Sequence, residues 1–292
     1  MLSVELPGRS VAALTWGPDD GPLALLLHGF PDTAWTWRSV APVLAAAGWR
    51  VVAPFMRGYA PTGLAPDGNY QLGALVRDGV ELHEALGGDG RALLVGHDWG
   101  AMAAYGIGAI APERWARVVA MSIPPRATQE RVFRGRGAAR LGMRQARNSW
   151  YVIANQVPAV PERLFDRIVR RLWTDWAPGY DATEDLAHLA AALPDRAHRS
   201  AALNYYRALA QPWRRSREYA AEQRASLRVP PVPTLYLHGS LDRALVPEAG
   251  AQVAPDLAPG SRVAMVPGAG HFVQLQQPAF VVDEILGFAG RM

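Results

Sequence analysis

The chain contains 292 residues, half of them hydrophobic, and carries a formal net charge of +4. A chain of this length and composition can bury a large core, either as two small domains or as one large domain with an insertion. The sequence contains no cysteine, which excludes disulfide bonds, thiol catalysis and cysteine metal sites.

The predicted elements alternate between short apolar runs and longer segments with helical spacing. Residues 3–17 alternate polar and apolar side chains around Pro7 and Gly8, which predicts an edge hairpin. Apolar runs that end in glycine, proline or a polar residue predict buried strands at 23–27, 51–55, 92–95, 118–121, 234–237 and 263–266. Helical spacing predicts helices at 39–47, 72–86 and 101–110. This alternation predicts an α/β fold with a mostly parallel sheet covered by helices on both faces.

Residues 125–227 lack the strand pattern. Arginine, alanine and aromatic residues recur there at helical spacing, and prolines interrupt them at Pro158, Pro161, Pro178, Pro194 and Pro212. The strand pattern then resumes. We therefore predict a core domain of residues 1–124 and 228–292, with residues 125–227 inserted as a helical cap over it.

Asp98 lies at the centre of a predicted sharp turn between a strand and a helix. The sequence GHDWG, residues 96–100, follows the apolar run 92–95, and two glycines flanking a central residue at such a joint lift its side chain above the sheet. A carboxylate there attacks carbon directly, which suits an epoxide or an alkyl halide rather than an ordinary ester. The alternative is an aspartate that caps the following helix. We expect a nucleophile.

Two partners follow Asp98 in the chain order nucleophile, acid, histidine. Asp242 comes just after the run 234–237, and His271 comes just after the run 263–266. A histidine between two carboxylates can take a proton from water, while the second carboxylate fixes its tautomer. The alternative for each residue is an ordinary surface or solvated position, but we expect a catalytic triad.

Turns at the same predicted sheet edge supply backbone donors. The N–H groups of Phe30, in the sequence HGFP, and of Trp99 would point at the oxyanion formed when water attacks an Asp98 ester. Three further histidines lie near strand ends, where a histidine bonded to the backbone is commoner than a catalytic one. We therefore expect structural roles for His28, His97 and His238.

These motifs resemble the α/β-hydrolase superfamily, and specifically its soluble epoxide hydrolase branch. HGFP, RGYAPT, GHDWGA, LDRALVP and GAGHF match the motifs of that branch in order and spacing, from roughly residue 23 to the C-terminus. The resemblance implies the α/β-hydrolase fold and the hydrolysis of an epoxide to a vicinal diol.

The resemblance also implies two catalytic tyrosines in the cap. Ring opening expels an alkoxide, a poor leaving group that needs proton donors facing the nucleophile. The segment SWYVIANQVP resembles the one that carries the first tyrosine, at Tyr151, and LNYYRAL resembles the one that carries the second, at Tyr206. Tyr205 precedes Tyr206 directly in the sequence. Because adjacent helical residues point about 100° apart, only one of the two can face the cavity.

Two other functions are consistent with the sequence. Haloalkane dehalogenases resemble this chain in the aspartate and the following tryptophan, but Phe30 cannot donate where some of them use asparagine. Trp150 and Tyr151 stand where fluoroacetate-type enzymes carry a halide-binding histidine and tryptophan. A ligand-binding protein that has lost turnover is a further alternative, although no catalytic position is missing.

The expected partners are water and a small hydrophobic epoxide, with no cofactor and no metal. Tryptophans in the cap suggest an apolar substrate cavity. The arginines between residues 126 and 147 are interpreted as a solvated helix face rather than a nucleic-acid surface. The first residues lack an export signal and no run is long enough to span a membrane, so we expect a cytoplasmic protein, either a monomer or a homodimer.

Overall fold

The computed structural model describes residues 1–135 and 137–290, which form an eight-stranded sheet. The strands are β1 (Leu2–Leu6), β2 (Arg9–Trp16), β3 (Leu23–Leu27), β4 (Arg50–Pro54), β5 (Ala92–His97), β6 (Trp115–Met121), β7 (Thr234–Gly239) and β8 (Arg262–Val266). Their order across the sheet is β1-β2-β4-β3-β5-β6-β7-β8. β2 pairs antiparallel with β1 and β4, and all other neighbours are parallel. The mostly parallel sheet and its edge hairpin are therefore confirmed.

Helices connect and cover these strands. In the described residues the α-helices are α1 (Ala41–Ala46), α2 (Leu72–Ala85), α3 (Trp99–Ile110), α4 (Arg126–Arg134), α5 (Ala138–Asn148), α6 (Trp150–Ala154), α7 (Val160–Arg163), α8 (Phe165–Trp176), α9 (Thr183–Ala192), α10 (Arg196–Ala210), α11 (Ala220–Ala225), α12 (Pro247–Gly250), α13 (Val273–Gln276) and α14 (Pro278–Ala289). None of these helices is both long enough and apolar enough to cross a membrane.

The central strands are buried because helices cover the sheet. Every residue of β3, β5 and β7 is buried, as expected for parallel strands that have no face in water. α3 packs against β5 and β6, whereas α14 packs against β6, β7 and β8. Because β3, β5 and β7 are buried on both faces, their continuous apolar runs predict them from the sequence.

Helices α4 to α11 all lie between β6 and β7 in the chain, in the segment that the sequence assigns to a cap. The indole N–H of Trp173 donates to the carbonyl of Pro31 at 3.0 Å, and Arg38 pairs with Asp185 at 2.6 Å. These contacts tie the inserted helices to the strand-end loops. α11, at the end of the segment, packs on α2 and α3 of the core. The cap borders at residues 125 and 227 stay a prediction.

The parallel strands β3, β5, β7 and β8 end at one edge of the sheet, so the loops that follow them lie close together. Phe30 follows β3, Asp98 follows β5, Asp242 follows β7 and His271 follows β8. The inserted helices contribute tyrosines from above this edge. Residues that are far apart in sequence are thereby brought into one site.

Candidate active site

Asp98 occupies a strained turn between β5 and α3. Its φ angle is +53°, a left-handed conformation that is costly for a residue with a side chain. A Cβ atom added at Gly96 would lie 2.2 Å from the carbonyl oxygen of Gly100, and one at Gly100 would lie 2.2 Å from that of Leu27. Both positions therefore require glycine. The Asp98 side chain makes no capping hydrogen bond to α3, so the turn presents it for other contacts.

The two carboxylate oxygens of Asp98 have different surroundings. Oδ1 accepts a hydrogen bond from the N–H of Phe30 at 2.8 Å, and Oδ2 lies 3.5 Å from Nε2 of His271. Gly29 permits this approach, because a Cβ atom there would lie 2.4 Å from Cβ of Asp98. One oxygen is thus held by a backbone donor, while the other faces the histidine.

Asp242 orients His271 from the opposite side. Oδ2 of Asp242 accepts from Nδ1 of His271 at 2.9 Å, and Oδ1 accepts from the N–H groups of Ala244 and Leu245 at 2.7 and 3.1 Å. Burial would raise the pKa of Asp242, but the charge and the hydrogen bond of His271 outweigh it and lower this pKa. Asp242 is therefore a fixed negative charge beside the imidazole.

His271 lies fully buried between two carboxylates. Burial lowers the pKa of His271, but the charge and hydrogen bond of Asp242, helped by Asp98, outweigh burial and raise this pKa to about 10. The backbone N–H of His271 donates to the carbonyl of Trp176 at 2.8 Å. The free site thus holds an imidazolium at neutral pH, and the inserted helices anchor the loop that carries it.

The two N–H groups expected to stabilise the oxyanion differ in their contact with the carboxylate of Asp98. The N–H of Phe30 already reaches Asp98, whereas among the described residues the N–H of Trp99 makes no hydrogen bond to that carboxylate. Trp99 starts α3 directly after the strained turn, so its N–H is one of the unpaired donors at the helix N-terminus. The structure therefore shows one of the two contacts.

Tyr151 and Tyr206 meet above Asp98. Their rings lie 5.5 Å apart in an edge-to-face arrangement, and burial, with the charge of Asp98 adding to it, raises the pKa of both phenols. The hydroxyl of Tyr206 is buried with no hydrogen-bond partner among the described residues. The hydroxyl of Tyr205 instead donates to the carbonyl of Arg57 at 2.8 Å. Of the adjacent pair, only Tyr206 offers its phenol to the site.

A cavity of about 200 Å³ joins the nucleophile turn to both tyrosines. Its lining includes Asp98, Trp99, Tyr151 and Tyr206 together with apolar side chains of the core and the inserted helices: Met102, Ile123, Phe133, Val152, Leu209, Ala244 and Leu245. The carboxylate and the two phenols can therefore contact one small molecule at the same time.

The three histidines for which the sequence predicts structural roles bond to the surrounding backbone. Nε2 of His28 accepts from the N–H of Met56 at 3.0 Å, and Nε2 of His97 lies 2.9 Å from the carbonyl of His271. Nε2 of His238 lies 3.3 Å from the carbonyl of Leu245, and its Nδ1 bonds to the hydroxyl of Tyr236. Burial lowers the pKa of each ring, to about 4 for His28 and about 3 for His97. Neutral, backbone-bonded rings agree with the structural roles expected for them.

Asp32, beside the Phe30 turn, is a buried carboxylate that the sequence did not single out. Oδ1 accepts from the N–H of Thr33 at 2.8 Å, and Oδ2 has no hydrogen-bond partner among the described residues. Burial, with the charge of Asp185 adding to it, raises the pKa of Asp32 to about 8. No local pattern marks it, because Asp185 comes from α9.

The raised pKa of Asp32 predicts a loss of stability with rising pH. The folded state keeps this proton up to about pH 8, whereas the unfolded chain releases it near its ordinary pKa, so stability falls between the two values. We expect Asp32→Asn to remove this fall and to raise the melting temperature above that of the wild type at about pH 9. Thermal melts of both proteins, from the ordinary pKa of aspartate up to about pH 9, measure this effect. A difference in melting temperature between wild type and variant that does not vary with pH would contradict it.

Residues 22–278 match the family described as alpha/beta hydrolase fold. The chain belongs to the α/β-hydrolase family. The strand order, the strained aspartate turn and the order of acid and histidine all agree with this assignment.

Several relatives of this α/β-hydrolase have named activities. Epoxide hydrolase A of Mycobacterium tuberculosis is 28% identical over 323 residues, covering 98% of this chain and 95% of that protein. Epoxide hydrolase B of the same organism is 40% identical over 133 residues, covering 44% of this chain and 35% of that protein. The crystal structure of an epoxide hydrolase from Vigna radiata superimposes with a TM-score of 0.77 at 26% identity, covering 100% and 98% of the two chains.

Proposed function

We propose that this α/β-hydrolase is an epoxide hydrolase that adds water to a small hydrophobic epoxide and releases a vicinal diol. One observation carries the proposal. A carboxylate on a strained turn and two buried phenols line the same cavity, so an epoxide there meets a nucleophile at carbon and acids at oxygen. The named epoxide hydrolases that resemble the chain over nearly its whole length support the same reaction.

The first step forms a covalent ester. Oδ2 of Asp98 attacks one ring carbon, a new carbon–oxygen bond forms, and the bond from that carbon to the epoxide oxygen breaks. The oxygen leaves as an alkoxide and takes a proton from Tyr151 or Tyr206. Because burial raises the pKa of both phenols, they carry their protons at neutral pH and can act as acids.

Ester formation prepares His271 for the second step. It removes the negative charge of Asp98, one of the causes that raise the pKa of His271. The imidazolium can then give up its proton and replace the one that the tyrosine lost. The neutral ring, still held by Asp242 at 2.9 Å, becomes a general base for water.

The second step hydrolyses the ester. His271 takes a proton from water, which attacks the carbonyl carbon of Asp98 and places negative charge on Oδ1. The N–H of Phe30 already lies 2.8 Å from that oxygen, where it stabilises the tetrahedral intermediate. The intermediate expels the diol oxygen, which takes the proton from His271. The proton that remains on the carboxyl group of Asp98 then passes to His271, so that the carboxylate and the imidazolium of the free site are both restored.

A single turnover in oxygen-18 water tests this mechanism. Under excess enzyme, the diol from the first turnover should carry unlabelled oxygen from Asp98, and the label should enter the enzyme. After many turnovers each diol should carry one labelled oxygen. Label in the diol of the first turnover would show direct attack by water and would refute the covalent route.

The size and lining of the cavity support a small apolar substrate. Its volume of about 200 Å³ lies below the range of about 300–1,000 Å³ typical of drug-sized ligands. Apolar side chains supply much of the wall beside the catalytic groups. The named relatives do not favour haloalkane dehalogenation or a ligand-binding protein without turnover.

Removing the phenolic hydroxyls should slow ring opening. We expect Tyr151→Phe or Tyr206→Phe to reduce kcat about 10- to 100-fold, and the double variant about 10²- to 10⁴-fold, because the alkoxide loses its proton donors. Rapid-quench measurement of ester formation gives the rate of this step. Tyr205→Phe is the matched control, because that hydroxyl bonds to Arg57. Equal slowing of ring opening by Tyr205→Phe and Tyr206→Phe would contradict the assignment.

A further inference from the structure

One side chain of the inserted helices holds the loop that follows Asp242. Gln145 lies on α5, and its Nε2 donates to the carbonyl of Ala244 at 2.7 Å while its Oε1 accepts from the N–H of Val246 at 3.0 Å. The amide thus bridges both ends of a three-residue segment. Nothing in the sequence around Gln145 indicated this contact, because its partners lie about a hundred positions away.

The same three-residue segment positions the acid of the triad. The N–H groups of Ala244 and Leu245 both donate to Oδ1 of Asp242, while Oδ2 of Asp242 holds the imidazole of His271. A shift of this segment would move the donors that fix the carboxylate. Hydrogen bonds therefore link Gln145 to residues 244–246, these residues to the carboxylate of Asp242, and Asp242 to the imidazole of His271.

Other contacts hold α5 less firmly. The helix contains no buried residue, and Arg144 pairs with Glu248 where both side chains are about half exposed, so that ion pair contributes little stability. Leu141 packs, partly buried, beside Val246. Gln145 therefore supplies the specific polar link between α5 and residues 244–246, which we call the acid loop.

We propose that Gln145 is a positioning residue for the second step of the reaction. It fixes the acid loop and thereby keeps Asp242 and His271 aligned for the attack of water on the ester. The inference rests on the proposed function. Ester formation needs Asp98 and the phenols, none of which bonds to Gln145. The loss of this side chain should therefore slow ester hydrolysis more than ester formation.

The test is a single-turnover comparison of the wild type with Gln145→Met, which keeps the length of the side chain. It removes both hydrogen bonds to residues 244–246, together with the bond from Nε2 to Oγ of Ser149 at 2.9 Å. Rapid quench and intact-protein mass spectrometry follow the ester, and diol release follows its hydrolysis. We expect hydrolysis to slow about 10- to 100-fold, because small misplacements of catalytic groups have effects of this size. Ester formation should change less than about 3-fold, so that the ester accumulates.

Gln223→Met is the matched control. Gln223 lies on α11, where its Oε1 accepts from the N–H of Gly73 at 2.9 Å, and it does not line the cavity. Both rates should stay at their wild-type values. Gln145→Glu replaces the donor to Ala244 by a carboxylate oxygen that faces the same carbonyl. It should also slow hydrolysis more than ester formation, and it serves as the second test if Gln145→Met does not fold.

Failure of the inference can be told apart from failure of the proposed function. If the wild type forms neither ester nor diol from an epoxide panel, the proposed function is wrong. If the wild type shows both steps but the variants at Gln145 slow both equally, or change the ratio of the two rates no more than Gln223→Met does, the positioning role is refuted. An accumulated ester in the Gln145 variants alone supports it.

Discussion

Replacing His271 by glutamine is expected to stop the reaction after its first step and to leave the substrate attached to Asp98. Glutamine fills similar space but cannot take a proton from water, so the ester of Asp98 persists. Steady-state kcat should fall about 10²- to 10⁴-fold, the usual contribution of general base catalysis. Intact-protein mass spectrometry should show an increase equal to the mass of the whole epoxide, because no atom leaves when the ring opens.

Peptide mapping of this adduct should place it on the segment that contains Asp98. His188→Gln is a suitable control, because that ring stacks on Trp35 at 4.7 Å, in a contact outside the cavity. The control should turn over without accumulating an adduct. A His271→Gln variant that makes diol at the wild-type rate, or one that is inactive with no adduct, would contradict the assigned role of the histidine.

Replacing Asp98 by asparagine should abolish both steps. The carboxamide keeps the shape of the side chain and an acceptor for the N–H of Phe30, which now lies 2.8 Å from Oδ1, but it is a poor nucleophile. We expect kcat to fall about 10⁴-fold or more, as when a catalytic nucleophile is removed. Assays of diol release measure this loss, and no adduct should form at any time.

The same substitution should change the titration of His271. Asp98, whose Oδ2 lies 3.5 Å from Nε2, helps Asp242 to raise the pKa of this ring to about 10, so Asp98→Asn should lower it, which NMR titration of the imidazole can follow. Asp256→Asn is the control, since that carboxylate pairs with Arg131. An unchanged pKa of His271, or substantial turnover by Asp98→Asn, would show that Asp98 does not hold the position assigned to it.

The features of this protein that depend on local chemistry could be predicted from its amino-acid sequence. Strands β3, β5 and β7 are buried on both faces, so continuous apolar runs in the sequence predict them. The turn at Asp98 needs glycine at two fixed positions, and that requirement leaves a motif. Because parallel strands end at one edge, the order of Asp98, Asp242 and His271 along the chain was enough to predict that they meet.

The remaining features depend on contacts between segments that are distant in the sequence. The hydroxyl of Tyr205 bonds to the carbonyl of Arg57, whereas Tyr206 lines the cavity. Helical spacing predicted that only one of the two faces the cavity, and the resemblance predicted Tyr206, but their contacts in the fold show which one does. The bridge from Gln145 to the acid loop joins residues about a hundred positions apart. The raised pKa of Asp32 arises from burial beside another element. Hydrogen bonds and charges act through space, so residues whose roles come from such neighbours leave no pattern in the sequence.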